Sequence, residues 1–317
     1  MPVLNEERHL RAAVRGVLDQ RYPGELELIM AIGPCADATR QIAERLVAAD
    51  ARLTIVDNPA GRTPHALNLA VESARHDILV RVDGHGELGD RYIERAVELL
   101  AETGASNVGG VMEALGKTPF EEAVAYVYTS PYGLGGAAFH SGDVPAGPAE
   151  TVFLGVFQRA DLIAVGGFDE TMHRAQDWEL NYRLRQSGRL VYFSPDLRVT
   201  YRPRSTLKAL ARQMYATGTW RREVVKRHPD TASPRYLAPP VAVVGIAAGT
   251  LGGLLGRLAG SRLLSVGLLA PLGYAAFVLY ITATAPRSLS PVARRWLPVV
   301  LAATHLCWGS GFIVGRR

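Results

Sequence analysis

The sequence predicts an α/β protein with a mostly parallel sheet, followed by a C-terminal transmembrane helical region. In the first 110 residues, short apolar runs alternate with amphipathic segments of helix length. In the last quarter of the chain, three segments of about 20 residues each contain no charged residue. We therefore predict two domains: residues 1–236 form the α/β domain, and residues 237–317 form a membrane region with about three transmembrane helices.

Hydrophobic periodicity places the elements of the first domain in a regular order. Strands are expected at residues 25–33, 52–58 and 77–83, and helices at 7–20, 36–50, 63–75 and 90–103. Because strands and helices alternate, the strands are expected to pair in parallel, with helices on both faces of the sheet. Ligands of such sheets bind beyond the carboxyl ends of the strands.

The start of the chain is short for this arrangement. Only MPVL precedes Asn5, which is barely enough for the strand that the following helix requires. A truncated strand leaves backbone groups of its neighbour unpaired, so we expect the natural chain to begin upstream of Met1. Residues 1–20 are polar and helix-like, and we expect no signal peptide within them.

Charge is distributed unevenly along the chain. From residue 237 onwards there are seven arginines and no Asp, Glu or Lys, which leaves 28 basic and 30 acidic residues in the first 236. The basic excess therefore belongs to the C-terminal region, and nucleic acid is not expected as a partner. Cys35 and Cys307 are the only cysteines, which excludes a disulfide framework and a cysteine metal site.

The candidate spans are residues 237–256, 263–285 and 296–315. Three consecutive uncharged segments separated by arginine-containing loops favour membrane helices over the alternative, a buried helical subdomain. Arginines follow every span, so their distribution does not fix the orientation of the spans.

One strand end carries an unusual set of residues. In ILVRVDGHGELGD, residues 78–90, an apolar run ends at Asp83, and His85 and Glu87 follow within four residues. We interpret Asp83 as the last residue of a buried strand. That position lies at the edge of the sheet where ligands bind, so Asp83 is expected to contact one.

Four motifs occur in order along the first domain: PVLNEE (2–7), VRVDGHGE (80–87), VGGFDE with QDWELNYRLRQSG (165–170 and 176–188) and RQMYATGTW (212–220). In this order and spacing the chain resembles the family 2 glycosyltransferases, whose nucleotide-sugar-binding domain has the Rossmann-like GT-A fold. It is most similar to their membrane-attached branch, typified by succinoglycan-type bacterial polysaccharide transferases. The resemblance implies an inverting transfer of a sugar from a nucleotide diphosphate.

The resemblance also implies a divalent metal ion. A hard cation bridging both phosphates neutralises the charge that develops on a nucleotide diphosphate leaving group. Asp83 would bind the metal or the ribose, and His85 stands where the family has its second Asp. Imidazole suits Mn²⁺ better than Mg²⁺, so Mn²⁺ is expected as the metal, with Glu87 as an alternative ligand to His85.

Asp177 matches the family's catalytic acid. An inverting transfer needs one carboxylate to take the proton of the acceptor hydroxyl. Asp177 is expected at the start of a helix, and Glu179 is the rival base. Two acids spaced two residues apart point in different directions on a helix, so only one should face the site.

Donor binding is expected, by the same resemblance, from residues of both halves of the first domain: Pro2, Asn5, Glu7, Asp37, Arg62, Asn68, Asp83, Gln213, Trp220 and Arg221. For several of them a structural role is the alternative. Glu7 and Asp37 could stabilise helix starts, and Trp220 could lie at the membrane interface. The family's paired Asp residues for uracil are replaced by Ile32 and Gly33, which departs from the pattern of UDP-binding members.

Residues 129–150 are rich in Gly, Pro and Ala, and we interpret them as a mobile loop over the site or a disordered linker. His140 and Asp143 are its candidate functional residues.

The prediction for function is a metal-dependent inverting glycosyltransferase of the plasma (inner) membrane, multi-pass, with a cytoplasmic catalytic domain. It would transfer a sugar, most simply from a UDP-hexose, to a lipid-linked or polysaccharide acceptor in cell-envelope or exopolysaccharide synthesis. Two alternatives are open. One is a polyprenyl-phosphate sugar transferase, and the other is a catalytically silent membrane scaffold.

Overall fold

The computed structural model describes residues 1–134 and 136–315. Two of the seven C-terminal arginines, Arg316 and Arg317, lie outside the described residues. The chain divides into two compact units. The first comprises Met1–Glu113 and Ala137–Tyr201, and the second comprises Ala114–Gly136 and Arg202–Arg317. The predicted boundary at residue 236 falls inside the second unit and stays a prediction.

The first unit contains nine strands and seven helices among its described residues. Its strands are β1 (Pro2–Val3), β2 (Leu28–Ile32), β3 (Leu53–Asp57), β4 (Ile78–Val80), β5 (Glu87–Leu88), β6 (Asn107–Ala114, which ends at the first residue of the second unit), β7 (Gly147–Pro148), β8 (Phe153–Gln158) and β9 (Val191–Tyr201). Its helices are α1 (Leu10–Leu18), α2 (Thr39–Ala49), α3 (Thr63–Ser73), α4 (Tyr92–Thr103), α6 (Ala138–Ser141), α7 (Arg159–Ala164) and α8 (Gln176–Gln186). The α/β class is confirmed, and each strand and helix predicted in the first 110 residues is present, with shorter bounds than predicted.

Two sheets form the centre of the first unit. The strands β1, β2 and β3 pair in parallel, in that spatial order. The second sheet has the order β4-β8-β6-β9-β5, in which β8 pairs antiparallel with both β4 and β6, and β9 pairs antiparallel with β5 and β7. The carboxyl ends of β1 and β2 and the end of β4 carry the polar residues singled out in the sequence.

Apolar stripes explain why the helices pack where they do. In α1 the buried residues recur at helical spacing, so that one face meets the sheet and the rest stays polar; they are Leu10, Ala13, Val14 and Val17. They belong to a core that also contains Met30 and Ile32 of β2 and Leu99 of α4. In β2 all five residues are buried, as expected for a central parallel strand.

The second unit is helical in its described residues. It contains α5 (Pro119–Thr129), α9 (Leu207–Arg227), α10 (Pro234–Leu258), α11 (Arg262–Thr284) and α12 (Pro291–Val314). The last three are long and apolar enough to cross a membrane. They lie at the three segments that the sequence predicted as spans.

Small residues allow close helix packing within the second unit. A Cβ atom on Gly218 of α9 would lie 1.9 Å from the carbonyl oxygen of Trp308, and one on Gly311 of α12 would lie 2.0 Å from that of Tyr215. The backbones of α9 and α12 therefore approach more closely than larger side chains would permit.

Residues 129–150, predicted as a loop, include the end of α5, the four-residue α6 and β7. His140 lies in α6, with its ring 4.2 Å from that of Phe139 between centroids.

Candidate active site

Strand β4 ends at Val80, so the structure corrects the placement of Asp83 at the last residue of the strand. The chain leaves the sheet after Val80 and reaches Asp83 three residues later. Gly84 keeps this segment close to the start of the chain, because a Cβ atom there would lie 3.1 Å from Cγ of Glu6 and 3.4 Å from the carbonyl oxygen of Pro2.

Arg81 joins the two carboxylates on which the predicted chemistry depends. Its side chain is only 7% exposed, and its guanidinium donates to Asp83 Oδ1 at 3.1 Å and to Asp177 Oδ1. The carboxyl groups of Asp83 and Asp177, 94 positions apart in the sequence, therefore lie on one cation. The structure brings together the residues that the sequence predicted to converge.

The charge balance explains how a buried arginine is tolerated here. Burial by itself lowers the pKa of Arg81, but the carboxylates of Asp177 and Asp83 outweigh this effect and raise the pKa above its usual value. The carboxylates are 38% and 27% exposed, so each keeps a side towards solvent. Asp83 contacts the guanidinium through Oδ1.

Asp177 stands in the first turn of α8, as predicted. The residue before this helix, Ala175, has φ +61°, a left-handed conformation that L residues other than Gly adopt at a cost of roughly 1 kcal/mol. The turn places Asp177 at the positive end of the helix dipole, which favours a carboxylate there. Beside it, Gln176 is buried, and its Oε1 has no partner among the described residues.

Glu179, the rival base, has a different environment. Its side chain is only 4% exposed and accepts from Arg183 Nε at 2.7 Å and from Nη2 at 2.8 Å. Arg183 in turn donates to the carbonyl oxygens of Val165 and Gly167. The pair ties α8 to the VGGFDE segment, so Glu179 is part of the internal structure and Asp177 is the acid of the two that reaches the strand end.

Asn68 holds the other side of the same segment. Its Nδ2 donates to the carbonyl oxygen of Phe168 at 2.9 Å and to Glu170 Oε1 at 3.0 Å, and its Oδ1 accepts from the Phe168 amide at 2.9 Å. Gly166 and Gly167 have φ of +85° and +67° and make the turn between these contacts. The predicted role of Asn68 in donor binding stays a prediction, and the structure shows its amide in protein hydrogen bonds.

Arg62, predicted to reach a diphosphate, is exposed just before α3 and hydrogen-bonds to the imidazole of His173. In α3, His65 Nε2 lies 3.3 Å from Glu170 Oε2. The VGGFDE segment and the residues after it therefore contact the start of α3 at several points.

The turns after β1 and β2 are connected by side chains of the first motif. Asn5 Oδ1 accepts from the Ala36 amide at 2.8 Å, and Glu7 Oε2 accepts from the Ala38 amide at 3.1 Å. Asp37 accepts from the amides of Glu7 and Thr39.

A hydrogen bond from the Thr39 side chain lowers the pKa of Asp37, and the amide hydrogen bonds of Thr39 and Glu7 lower it further. Asp37 therefore stabilises the start of α2, the alternative stated for it above. Roles of Asn5, Glu7 and Asp37 towards a nucleotide stay predictions.

His85 is paired with a carboxylate that sequence reasoning missed. Its Nδ1 lies 2.8 Å from Glu6 Oε1, and the other oxygen of Glu6 lies 3.3 Å from His9 Nδ1. A carboxylate on one ring nitrogen fixes the orientation of an imidazole and raises its basicity, as in many metal sites. Glu87, the alternative ligand, lies in β5 opposite Thr200.

The predicted role of Asp83 and His85 as metal ligands stays a prediction. In the described residues no group of three or more His, Cys, Asp or Glu side chains could hold a metal by itself. Magnesium-like ions in phosphoryl sites are commonly held by one or two protein ligands and by the substrate phosphates. Asp83 and His85 could therefore hold a metal only together with a substrate, and they do not form a site of protein ligands alone.

The remaining predicted residues lie in α9 of the second unit. Gln213 Oε1 accepts from Tyr128 Oη and from Arg204 Nε, each at 3.2 Å. Trp220 is only 9% exposed, and the Arg221 guanidinium lies 3.9 Å from the centre of the Tyr236 ring. Their predicted contacts with donor stay predictions.

Arg81 is the residue that sequence reasoning should have found. An arginine inside an apolar run, as in ILVRVD, must be buried with compensating acids. Glu6 and His173 gave no such signal, because their contacts join segments 79 and 111 residues apart.

Comparison with known proteins agrees with the fold and with the predicted family. The model of the family described as "Glycosyl transferase family 2" matches residues 1–141. The succinoglycan biosynthesis protein ExoA of Rhizobium meliloti (strain 1021) is 32% identical over 98% of this chain and 92% of its own length. The chain belongs to the family 2 glycosyltransferases.

Two more distant proteins extend the comparison. The dolichyl N-acetyl-alpha-D-glucosaminyl phosphate 3-beta-D-2,3-diacetamido-2,3-dideoxy-beta-D-glucuronosyltransferase of Methanococcus voltae is 22% identical over 69% of this chain and 70% of its own length. The solved structure of the mannosyltransferase PcManGT from Pyrobaculum calidifontis, in complex with GDP-Man and Mn²⁺, aligns with a TM-score of 0.59 over 96% of this chain and 85% of its own. At 19% identity, this likeness shows the fold, and the predicted GT-A class is confirmed.

Proposed function

We propose that this family 2 glycosyltransferase transfers a hexose from a nucleotide diphosphate, with inversion, to a lipid-linked saccharide in polysaccharide synthesis. The observation that carries the proposal is the pairing of Asp83 and Asp177 with Arg81. It puts a carboxylate suited to the donor's metal or ribose beside a carboxylate suited to the acceptor's proton. The relative named for succinoglycan biosynthesis supports a polysaccharide product.

In the proposed reaction Asp177 accepts the proton of the acceptor hydroxyl as that oxygen bonds to the anomeric carbon. The bond from this carbon to the diphosphate oxygen breaks on the opposite face, and the nucleoside diphosphate leaves with the bonding electrons. Arg81 holds the carboxylate of Asp177 in place by a charged hydrogen bond, an interaction of about 1.5–3 kcal/mol. Glu179 and Arg183 hold the helix that carries it.

Asp83 and His85 would hold a divalent ion together with the donor phosphates. The ion supplies positive charge to the leaving diphosphate when it is bound. Mn²⁺ is proposed over Mg²⁺ because an imidazole is among the ligands. The presence of Mn²⁺ with GDP-Man in the PcManGT structure is consistent with this choice.

The three apolar helices α10, α11 and α12 are proposed to anchor the enzyme in the plasma membrane, with the catalytic unit on the cytoplasmic side, where nucleotide sugars are made. A membrane anchor favours an acceptor that is itself a lipid, because that acceptor is confined to the same surface.

The test is donor and acceptor binding followed by transfer. Full-length protein in detergent is screened for a rise in melting midpoint with UDP-, GDP- and dTDP-hexoses, each with Mn²⁺ or Mg²⁺. Labelled transfer is then measured to a prenyl diphosphate-linked sugar and to a prenyl monophosphate. Transfer to the saccharide supports the proposal, and transfer to the monophosphate alone would establish the polyprenyl-phosphate alternative. Stabilisation by no donor, with no transfer, would contradict the proposal.

A further inference from the structure

A cavity of about 440 Å³ lies in the second unit between the end of α11 and the start of α12. Six residues line it, and half of them are arginines: Thr282, Arg287, Leu289, Pro291, Arg294 and Arg295. It is an open depression at the surface rather than an enclosed pocket. Its position, at the ends of two helices long enough to span a membrane, corresponds to the level of lipid headgroups.

The arginines of this cavity are not neutralised within the described part of the chain. Arg287, Arg294 and Arg295 take part in no ion pair there, whereas Arg40, Arg183 and Arg189 each contact an acid. From residue 237 onwards the sequence contains no acid that could pair with them. Arg294 donates to the carbonyl oxygen of Pro286 at 3.0 Å, which fixes the loop that carries the cavity.

One acid reaches this loop without pairing with the arginines. Glu122 of α5 accepts from Ser290 Oγ at 2.6 Å, and Ser290 Oγ in turn accepts from the Ala293 amide. Counting this carboxylate with the three guanidinium groups leaves a local excess of two positive charges. The cavity therefore suits a ligand with two negative charges better than a phosphodiester with one.

Apolar surface continues from the cavity along both helices. Exposed apolar side chains flank the arginines on α11 and α12; they are Leu279, Tyr280, Val292 and Trp296. Arginine is the side chain best suited to bidentate contact with phosphate oxygens. A cationic cavity bordered by apolar helix surface matches a diphosphate carried by a lipid tail.

We propose that this arginine cavity, lined by Arg287, Arg294 and Arg295, binds the diphosphate group of a membrane lipid. The identity of that lipid as the acceptor rests on the proposed function, and the binding itself does not. A lipid diphosphate held here would be fixed at the membrane surface by its headgroup, with its tail along α11 and α12.

The binding experiment uses full-length protein in nanodiscs of phosphatidylcholine, without donor. Farnesyl diphosphate is the probe, and farnesol, farnesyl monophosphate, inorganic diphosphate and phosphatidylglycerol are the comparison ligands. We expect farnesyl diphosphate to bind at least tenfold more tightly than farnesol and than inorganic diphosphate. Equal affinity for inorganic diphosphate would overturn the lipid as the source of the phosphate, and preference for phosphatidylglycerol would overturn the diphosphate.

Variants locate the binding. The double variant Arg287→Gln/Arg295→Gln is expected to weaken farnesyl diphosphate binding at least tenfold. The double variant Arg287→Lys/Arg295→Lys should weaken binding less, because lysine keeps the positive charge but cannot make the bidentate contact of a guanidinium. The matched control is Arg257→Gln with Arg262→Gln, two exposed arginines at the other junction between spans, which should bind as the wild type does. The site would be overturned if Arg287→Gln/Arg295→Gln bound farnesyl diphosphate as the wild type does, or if this variant and the control variant lost the same amount of affinity. If the glutamine pair does not fold, the lysine pair and the control pair decide the result.

The two proposals fail separately. If the wild-type protein binds farnesyl diphosphate through these arginines but transfers no sugar, the proposed function is contradicted and the arginine cavity is not. Normal transfer to a lipid-linked sugar by the glutamine pair, at low acceptor concentration, contradicts only the identity of the bound lipid as the acceptor; the binding site itself is decided by the farnesyl diphosphate measurement.

Discussion

Arginine occurs in two opposite situations in this chain. Arg81 of the first unit is buried and held by two carboxylates, whereas Arg287, Arg294 and Arg295 of the second unit line a cavity without forming an ion pair in the described residues. The first cation has its anions built into the fold and serves to position them. The second group lacks built-in anions, which is the property expected of a surface that binds an anion from outside.

The largest effect is expected from the carboxylate that Arg81 holds. Asp177→Asn keeps the shape of the side chain and removes the proton acceptor, so the turnover number should fall about 10²–10⁴-fold. The melting midpoint should fall less than in Arg81→Gln, because Asp177 is partly exposed and Asp83 still contacts the guanidinium. Initial rates at saturating donor and acceptor measure this effect.

Glu179→Gln is the matched control, two residues along the same helix. Glu179 is buried on Arg183, so its change should lower the melting midpoint and leave most of the turnover number intact. If Glu179→Gln abolished turnover while Asp177→Asn did not, the assignment of the base would be wrong.

Arg81→Gln tests the buried cation directly. The change leaves two neighbouring carboxylates without their counter-charge, and we expect a loss of about 2–4 kcal/mol in unfolding free energy, visible as a lower melting midpoint. Arg81→Lys keeps the charge but cannot reach both acids with a planar fork, so an intermediate loss is expected. If both variants melted at the same temperature as the wild type, Arg81 would contribute no more to stability than an exposed arginine. The difference between Arg81 and the arginines of the cavity would then have no energetic consequence.

The turn that fixes the helix of Asp177 can be tested with two adjacent glycines. Gly167→Ala forces an alanine to φ +67° and puts its Cβ 2.8 Å from Asn68 Oδ1, so we expect a loss of about 1–3 kcal/mol. Gly166→Ala meets open space at φ +85° and reports the backbone strain alone. The difference between the two melting midpoints measures the contact with Asn68. Equal midpoints would show that the contact does not constrain the turn.

The sequence predicts the first half of the fold well because parallel strands are buried on both faces. Runs such as LIMAI in β2 stand out for that reason, and the helices between them carry regular apolar stripes. The antiparallel strands β8 and β9 were not assigned. They form the second sheet with β4, β5, β6 and β7, and they pair with residues about 45 to 115 positions away, which local periodicity does not reveal.

The sequence was sufficient to predict the carboxylates of the site, but not the side chains that hold them in place. Asp83 and Asp177 could be named because motifs mark them, and the structure places both on Arg81. The partners that hold them are set by tertiary contacts, as for Glu6 on His85 and Arg183 on the turn at Gly167. Asp37 shows the reverse, because its local hydrogen bonds to the start of α2 were evident from sequence spacing.

The smallest effect is expected from relief of repulsion in the arginine cavity. Arg287→Gln with Arg295→Gln removes two neighbouring positive charges while retaining Arg294, whose hydrogen bond to the Pro286 carbonyl fixes the loop. Like charges on an exposed surface destabilise by a few tenths of a kcal/mol each at low salt, so the variant should melt at a slightly higher temperature than the wild type in about 20 mM salt. In about 0.5 M salt the screening length falls to roughly 4 Å, and the difference should vanish. The Arg81→Gln deficit should persist at both salt concentrations because the Arg81 guanidinium is buried and screened less by ions than an exposed charge. Melting curves of the full-length protein in neutral detergent measure both effects, and Arg257→Gln/Arg262→Gln is the control. If the Arg287→Gln/Arg295→Gln variant melted at a lower temperature than the wild type at both salt concentrations, these arginines would stabilise the fold and would not form an anion-binding site.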